Sequence, residues 1–296
     1  MILHRNRLIA LIEVCLVTFL WSSSYILVKI GLTLISPLNL VSLRYLIASA
    51  ILIALALLKG RANMLREIRT LLKIAFLGFF GYTVAQGLQC VGLFYLPAVS
   101  VTFILNFSPL IVLTLGIIFL KEYPTMLQLV GLTSVILGAY LFFNTPLANG
   151  SPIGIIITLL SGFGWATYLV LSRRLLVKEK TNPLGLTAFS MGFGTLLMSI
   201  GAYTFEGGLH ISSTSWGIIL WLGIVNTALA FLLWNHALQV LEAFEISILQ
   251  NTMLVQIALL SWLFLGEAFT PVKVVSMILV FTGVLLVQFK KTGKNN

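Results

Sequence analysis

Residues 38–58 read LNLVSLRYLIASAILIALALL and carry a single charge, Arg44. A helix needs about 20 predominantly apolar residues to cross the hydrocarbon core of a bilayer. This stretch therefore predicts one membrane-spanning helix, and comparable stretches recur along the chain. We expect ten transmembrane helices, at about 8–30, 38–58, 71–91, 98–120, 126–144, 153–175, 183–204, 215–236, 244–265 and 271–289.

The composition of the whole chain agrees with an all-α polytopic membrane protein. Of its 296 residues, 59% are hydrophobic and 9% are charged, and the mean hydropathy is +1.07. A soluble domain carries about 25% charged residues, so a water-soluble globule is excluded. Asp is absent, and Cys15 and Cys90 lie inside apolar runs, as buried thiols do. We therefore expect no disulfide framework, no metal site and no cofactor. The lipid bilayer is the expected surrounding, and the oligomeric state stays open.

The positive charges predict the orientation of the chain. The formal charge is +10, but the basic residues lie between apolar segments, which is typical of membrane topology and not of nucleic-acid binding. With the N-terminus inside, 15 of the 18 Lys and Arg residues are cytoplasmic, whereas Lys29 and Lys273 lie outside and Arg44 lies within a span. Residues 8–30 lack a small-residue cleavage site, so we interpret them as an uncleaved first span. Both termini are expected in the cytoplasm of a cell with a prokaryotic plasma membrane.

The chain repeats itself at an offset of 145 residues. The matched residues are Leu77-Gly78 with Leu222-Gly223, Ala98 with Ala243, Asn106 with Asn251, Glu122 with Glu267 and Gly138 with Gly283. Small shifts align Trp21 with Trp165 and Pro37 with Pro183. A repeat with an odd number of spans enters the membrane upside down the second time. Residues 8–144 and 153–289 are therefore predicted to form a 5+5 inverted repeat, an architecture that gives two similar shapes open to opposite sides.

Several short motifs resemble those of the EamA domain, from the drug/metabolite transporter superfamily. They are Phe19-Leu20-Trp21-Ser22-Ser23-Ser24 leading to Lys29, Leu43-Arg44-Tyr45, Leu120-Lys121-Glu122 with Gly131 and Gly138, and Leu265-Gly266-Glu267 with Gly283. Ser22 replaces a common Gly, and Ser190 stands where the second repeat would match Arg44. The resemblance implies two tandem EamA domains and a central cavity lined by spans 1–4 and 6–9. It also implies export of amino acids or related metabolites.

Polar residues in span 3 are the first candidates for contact with a small-molecule substrate. Tyr82, Gln86 and Gln89 follow one another at spacings of four and three, so they share one helix face. Two amides facing lipid are unfavourable, and the face should therefore turn inward. The alternative is that these amides only join helices.

Asn106 and Asn251 occupy equivalent positions near the middle of spans 4 and 9. Pro109 follows Asn106 closely and removes a backbone hydrogen bond, which predicts a kinked polar segment suited to solute binding. Span 9 has no proline at this place. A purely structural kink capped by Asn106 is the alternative.

Aromatic and hydroxyl residues occupy matching positions in spans 1 and 6. Trp21, Ser24 and Tyr25 belong to span 1, and Trp165 and Tyr168 belong to span 6. Aromatic walls suit solutes with an apolar or cationic part. Trp234 could join them, although a Trp near a span end is equally typical of an interface anchor.

Two charged residues inside spans are candidates for coupling or gating, Glu13 and Arg44. Without a partner, Glu13 could carry a coupled proton, whereas an interfacial Glu would pair with a basic residue. Arg44 could hold a carboxylate or brace neighbouring carbonyl groups. Glu122 and Glu267 are expected to fix helix ends, with Lys121 as a partner for Glu122, and His236 is expected to be scaffolding.

These features favour a secondary transporter that exports small solutes by alternating access. A passive facilitator remains the main alternative. An intramembrane enzyme is disfavoured because the spans hold no nucleophile paired with a base and no metal cluster. A nucleotide-driven pump would need a phosphate-binding loop, which is missing.

Overall fold

The computed structural model describes residues 2–96, 98–143, 151–207, 213–265 and 271–288. These residues are almost entirely helical and include no strand, which confirms the all-α prediction. The helices are α1 (Ile2–Gly31), α2 (Pro37–Leu58), α3 (Ile68–Tyr95), α4 (Ala98–Leu105), α5 (Ser108–Leu120), α6 (Met126–Phe143), α7 (Pro152–Val177), α8 (Pro183–Glu206), α9 (Ser213–Gly223, continued through Ile224–Leu229 to Ala230–Ala237), α10 (Ala243–Leu249), α11 (Thr252–Leu265) and α12 (Pro271–Gln288).

Six helices of the described chain are long and apolar enough to cross a membrane. They are α1, α2, α3, α7, α8 and α9, which coincide with six of the expected spans. Shorter apolar helices cover Ser108–Leu120, Met126–Leu141 and Val274–Val287. The molecule is therefore a multi-pass membrane protein by helix length and composition. Glu267 lies outside the described residues.

The spans expected at 98–120 and 244–265 are each interrupted near the middle. Between α4 and α5, Phe107 donates its N–H to the Ile104 carbonyl at 3.2 Å, and Pro109 follows in the first turn of α5. Between α10 and α11, the Asn251 N–H donates to Ile248 at 2.9 Å without any proline. Both breaks tighten the chain from the α-helical spacing of four residues to a spacing of three. The second break was not predicted, because its sequence lacks the proline that marks the first.

Two helices contain π-helical segments at equivalent places. Phe79–Gly87 forms one within α3, and Ile224–Leu229 forms one within α9, so the two segments begin 145 residues apart. Segments of this kind occur often at functional sites because they widen the helix and re-aim its side chains. In this chain they lie beside the largest buried aromatic side chains.

Helices α6 and α12 cross at glycines. A Cβ placed on Gly131 would lie 2.6 Å from the Gly283 carbonyl oxygen, and a Cβ on Gly283 would lie 2.6 Å from the Gly131 carbonyl oxygen. At the same crossing, the Ser134 hydroxyl donates to the Leu279 carbonyl at 2.8 Å, and these two residues are 145 positions apart. Small residues permit this close backbone approach within a bilayer.

Candidate functional site

A cluster of buried aromatic rings joins α1, α7 and α9. We call it the aromatic cluster and define it as Trp21, Trp165, Tyr168, Phe231 and Trp234. Trp21 meets the edge of Trp165 with ring centroids 5.6 Å apart, and Trp165 stacks on Tyr168 at 5.4 Å. Trp234 lies 4.8 Å from Trp21 and is fully buried, so its interpretation as an interface anchor is wrong. The structure thus brings Trp21, Trp165 and Tyr168 together, as their repeat positions suggested.

The indole N–H groups connect this cluster to the irregular backbone on either side. Trp21 donates to the Asn226 carbonyl in the π-helical segment of α9 at 3.2 Å. Trp165 donates to the Gln250 side-chain oxygen at the α10–α11 break at 2.8 Å. The Trp234 N–H is buried and has no hydrogen-bond partner in the described part of the chain. Because an unpaired buried donor is costly, this N–H is a candidate for contact with a bound molecule.

Tyr82 belongs to the protein core and not to an open wall. It is fully buried, and its hydroxyl lies 3.1 Å from the Tyr168 hydroxyl. The Asn235 amide donates to the Tyr168 hydroxyl at 2.6 Å and to the Thr187 hydroxyl at 3.0 Å. This chain of hydrogen bonds links α3, α7, α8 and α9. Thr187 was missed by sequence reasoning, since it lies in no recognisable motif.

The two glutamines of α3 have different surroundings. Gln89 is half-buried and donates from its amide to the Tyr25 hydroxyl at 3.0 Å. Gln86 is also half-buried but makes no hydrogen bond to the described residues. Ser24 precedes Tyr25 on α1 and donates to its own helix, at the Trp21 carbonyl. Tyr25 lies one helical turn from Trp21 and binds Gln89, so these two offer partly accessible polar groups next to the aromatic cluster, and Gln86 lies one turn before Gln89 on α3.

The paired asparagines differ in their hydrogen bonds. Both are 6% exposed. The Asn106 amide donates to the Thr102 carbonyl at 2.7 Å, which caps the end of α4 as the structural alternative required. The Asn251 amide nitrogen is buried without a partner in the described chain. Although the two positions are equivalent, the Asn106 amide is hydrogen-bonded, whereas the Asn251 amide has an unused donor.

A polar strip between α1 and α11 lies close to Asn251. The Gln256 amide donates to the Thr18 hydroxyl at 3.0 Å, and the Ser22 hydroxyl donates to the Gln256 side-chain oxygen at 3.0 Å. Ser22 stands where the EamA motif commonly has Gly, and its hydroxyl adds the hydrogen bond to Gln256. This strip holds the break against α1.

Arg44 is nine-tenths buried within α2 and lies over its neighbour Tyr45, with the guanidinium carbon 5.5 Å from the ring centroid. Its Nε donates to the Thr227 hydroxyl, and its Nη2 donates to the Asn226 carbonyl at 3.1 Å. Trp21 donates to that same carbonyl oxygen. Arg44 therefore braces the π-helical segment of α9 from within the bundle and does not extend to the surface.

The end of the bundle at which α1 begins, which we call the N-terminal end, holds four pairs of acidic and basic side chains. Each pair joins the first half of the chain to the second half. The pairs are Arg7 with Glu245, Glu13 with His236 at 2.9 Å, Lys73 with Glu179 at 2.7 Å and Glu122 with Arg173 at 3.1 Å.

Two of these pairs change expectations from the sequence. Glu13 has His236 as a partner, so it matches the interfacial alternative better than an unpaired proton carrier. Glu122 pairs with Arg173, whereas its neighbour Lys121 is exposed and adopts a left-handed backbone conformation. Burial raises the pKa of the Glu122 carboxyl group, and the adjacent Arg173 opposes that rise. Arg173 also donates to the Leu238 carbonyl at 2.6 Å, which ties α7 to the turn after α9.

Comparison with known proteins identifies the family. The model of the EamA-like transporter family matches residues 8–144 and again residues 152–289. The chain belongs to the EamA-like transporter family. A transporter of Archaeoglobus fulgidus without an assigned substrate is 28% identical, over 93% of this chain and 96% of that protein.

Two further relatives carry substrate names. A Salmonella typhimurium protein named "Probable amino-acid metabolite efflux pump" is 23% identical over 93% of each chain. A Chlamydia trachomatis protein named "S-adenosylmethionine/S-adenosylhomocysteine transporter" is 26% identical over 88% of this chain and 84% of that protein. A crystal structure with a TM-score of 0.80 and 18% identity covers 94% of this chain and 97% of that one, which shows the shared fold.

Proposed function

We propose that this protein is a secondary transporter that exports amino acids or related small metabolites by alternating access. The observation that carries the proposal is the placement of irregular backbone around the aromatic cluster. A helix break and a π-helical segment occur in each half, and the indoles of Trp21 and Trp165 bind the segment and the break of the second half. Broken helices at mid-membrane depth are typical of solute sites in transporters.

The proposed architecture is ten transmembrane helices in a 5+5 inverted repeat, with repeats at 8–144 and 153–289. The α6–α12 crossing supports it. Gly131 faces Gly283 and Gly138 faces Ser276, and an offset of 145 residues converts the first pair into the second. Such self-matching contacts are expected around a twofold axis that relates the two halves.

The proposed orientation places both termini in the cytoplasm of a prokaryotic cell, because 15 of 18 basic residues then lie inside. Single cysteines at Arg69 and Lys180 should react with an impermeant maleimide only after permeabilisation. A cysteine at Asn149 should react in intact cells. Labelling of position 69 in intact cells would contradict the orientation.

The proposed solute site combines the half-buried face of Tyr25, Gln86 and Gln89 with the edges of Trp21 and Trp165. Asn251 adds an unused amide donor, and Ser24 lies alongside. Tyr82, Tyr168 and Asn106 support the site from behind, since their polar groups are already hydrogen-bonded. Amides and indoles together suit a solute with polar and apolar parts, in line with the amino-acid metabolites and adenosyl compounds named for the relatives.

The four ion pairs at the N-terminal end support a state closed on that side. Each pair bridges the two halves, so opening that end requires the pairs to separate. The aromatic cluster would then be reached from the opposite end. In the proposed orientation this is an outward-facing state.

The deciding experiment uses purified protein in liposomes, challenged with radiolabelled amino acids and nucleosides with and without a proton gradient. We expect saturable transport that Gln86→Ala lowers several-fold. Gln239→Ala removes a similar amide from the α9–α10 turn and should leave transport unchanged. Absence of transport for every solute tested would refute the proposal.

A passive facilitator is the second candidate, and the Glu13–His236 pair favours it because it removes the deepest unpaired carboxylate of the first half. Glu13→Gln separates the two mechanisms. In a proton-coupled exporter this variant should lose gradient-driven accumulation while still exchanging solute. In a facilitator, transport should follow the solute gradient alone and should not respond to a proton gradient in either protein.

A further inference from the structure

Arg44 is a buried cation whose hydrogen bonds go to neutral groups only. It is nine-tenths buried, and its described acceptors are the Thr227 hydroxyl and the Asn226 carbonyl. A guanidinium group carries five N–H donors in a rigid fork, so these two contacts leave most of its donors available. An ionised side chain within a bilayer is costly unless it has a compensating partner.

The described carboxylates do not compensate this charge. The sequence has no Asp, and its glutamates within the described residues make other contacts. Four of them form the ion pairs at the N-terminal end, and Glu242 lies at that same end, close to Glu122 and Glu245. Glu67 accepts a hydrogen bond from Thr70.

Glu206, on the same side of the bundle as Arg44, is also engaged. Both its oxygens accept backbone N–H groups at the start of α2, from Leu38 at 2.9 Å and from Asn39 at 2.8 Å. These bonds satisfy the unpaired donors of that helix end. The guanidinium of Arg44 therefore has no ion-pair partner in the part of the chain that is described.

The internal repeat indicates that helix packing does not require this charge. A Cβ placed on Gly223 would lie 3.1 Å from the Arg44 carbonyl oxygen, and a Cβ placed on Gly78 would lie closer still to the Ser190 carbonyl oxygen in the equivalent crossing. Ser190 is fully buried, and its hydroxyl donates to its own helix at Leu186. The same backbone crossing thus forms with a small neutral side chain, so the cation at position 44 adds something other than packing.

The neighbours of Arg44 belong to the proposed solute site. Arg44 and Trp21 donate to one carbonyl oxygen, that of Asn226, which places the guanidinium next to the aromatic cluster. Tyr25, whose hydroxyl accepts from Gln89, also lies near Arg44. A carboxylate at the free side of the guanidinium would hold the rest of its molecule against Trp21.

We propose that Arg44 binds the carboxylate of the transported solute and selects carboxylate-bearing compounds with an apolar or aromatic body. The inference rests on the proposed transport function and narrows its substrate class. The fork of Arg44 matches the two oxygens of a carboxylate, and charge-assisted hydrogen bonds are about twice as strong as neutral ones. An ester or amide of the same compound lacks the negative charge and binds less well.

The test compares matched probes on the full-length protein in detergent: L-phenylalanine with L-phenylalaninamide, and L-leucine with L-leucinamide. Binding is followed through the intrinsic tryptophan fluorescence, to which the aromatic cluster contributes. We expect wild type to bind each carboxylate about tenfold to a hundredfold more tightly than its amide. In Arg44→Gln this ratio should fall to about one. In Arg174→Gln, which removes an exposed arginine at the end of α7, the ratio should stay at the wild-type value.

The ratio is measured within one preparation, so a reduced folded fraction does not affect it. Arg44→Lys keeps the charge without the fork and should give an intermediate ratio. A wild type without preference for the carboxylates, no binding of either pair, or an unchanged ratio in Arg44→Gln would each overturn the proposal. Liposome transport of the same probes separates the two ideas. Transport without a carboxylate preference refutes the role of Arg44 alone, whereas Arg44-dependent binding without transport refutes the transport function alone.

Discussion

Glu122→Gln should loosen the N-terminal end of the bundle. The wild-type carboxylate accepts from Arg173 at 3.1 Å through one oxygen and from the Ala243 N–H at 3.3 Å through the other. The substitution keeps the size and one hydrogen-bonding oxygen but removes the negative charge. Arg173 then keeps the Leu238 carbonyl as its acceptor and remains a largely buried cation without a counter-charge.

The exposure of the Arg173–Glu122 pair determines how much free energy its loss should cost. The side chains of Arg173 and Glu122 are 11% and 16% exposed, so the pair is neither at the surface nor fully buried. Surface pairs contribute about 0–1 kcal/mol, and breaking a buried pair costs about 3–5 kcal/mol. A value of about 2 kcal/mol is intermediate, and it corresponds to about a thirtyfold shift from the closed toward the open arrangement of this end.

Water access to the buried face of α7 provides the assay. Ser172 is fully buried, lies next to Arg173 and is one helical turn from Tyr168. In a Cys15→Ser, Cys90→Ser background, Ser172→Cys should react slowly with a maleimide in permeabilised membranes. Adding Glu122→Gln should raise the labelling rate by about tenfold or more. Glu67→Gln removes an exposed negative charge at the same end and should leave the rate unchanged.

Two results would refute this reasoning. An unchanged labelling rate in Glu122→Gln would mean that the pair does not hold the end closed. An equal rise with Glu67→Gln would mean that the general loss of negative charge, and not the buried pair, is responsible.

Three further predictions concern the crossing, the cluster and the breaks, and each is checked by thermal unfolding in detergent. Gly131→Ala should lower the free energy of unfolding by about 1–3 kcal/mol, because the added Cβ would meet backbone atoms of the facing helix. The control Gly201→Ala has open space around the added Cβ. It should leave the free energy of unfolding unchanged or raise it by up to about 1 kcal/mol. Trp165→Phe removes one buried hydrogen bond and part of a buried ring, so it should cost about 2–4 kcal/mol. An unchanged stability would show that neither the bond nor the ring packing contributes. Asn106→Ala should lower the free energy of unfolding by about 1 kcal/mol, because the cap of α4 is lost. Asn251→Ala should unfold near the wild-type temperature but transport poorly, because its amide donor is unused in the fold. A destabilised Asn251→Ala together with a stable Asn106→Ala would contradict these two roles.

Hydropathy predicts helices well in this chain because the bilayer imposes both their length and their composition. The spans expected at 38–58 and 183–204 agree with Pro37–Leu58 and Pro183–Glu206 to within two residues at each end. Helix interiors are less predictable. The break at Asn251 and the π-helical segments at Phe79 and Ile224 leave hydropathy unchanged, since a tightened or widened turn needs no polar residue. Among these irregular places, only the break between α4 and α5 is indicated by a proline, Pro109.

Side-chain partners across the fold were the least predictable part of the site. Spacing predicted one shared face for Tyr82, Gln86 and Gln89, but Tyr82 is fully buried whereas both glutamines are half-buried, and the π-helical segment Phe79–Gly87 changes the helix period between them. Spacing also could not reveal that Tyr82 meets Tyr168 while Gln89 meets Tyr25, since those contacts depend on how α1, α3 and α7 cross. Arg173 was missed for the same reason: its partner Glu122 is 51 residues away, and adjacent Lys121 was the more obvious choice.

The difference between Arg44 and Ser190 bears on how a duplicated transporter acquires a direction. Two identical inverted halves would give the same site from both sides of the membrane. Here the backbone crossings at Gly78 and Gly223 are equivalent, but only the second has a cation beside it. At the first, Tyr82 and Tyr168 share a neutral hydrogen-bond network with Asn235. A carboxylate entering from the Arg44 side would meet a positive charge, whereas one entering from the other side would first meet neutral hydroxyl groups. If the proposed inverted repeat and alternating access hold, this asymmetry would give the two routes different affinities for anions, while the shared backbone would keep the two states similar in energy.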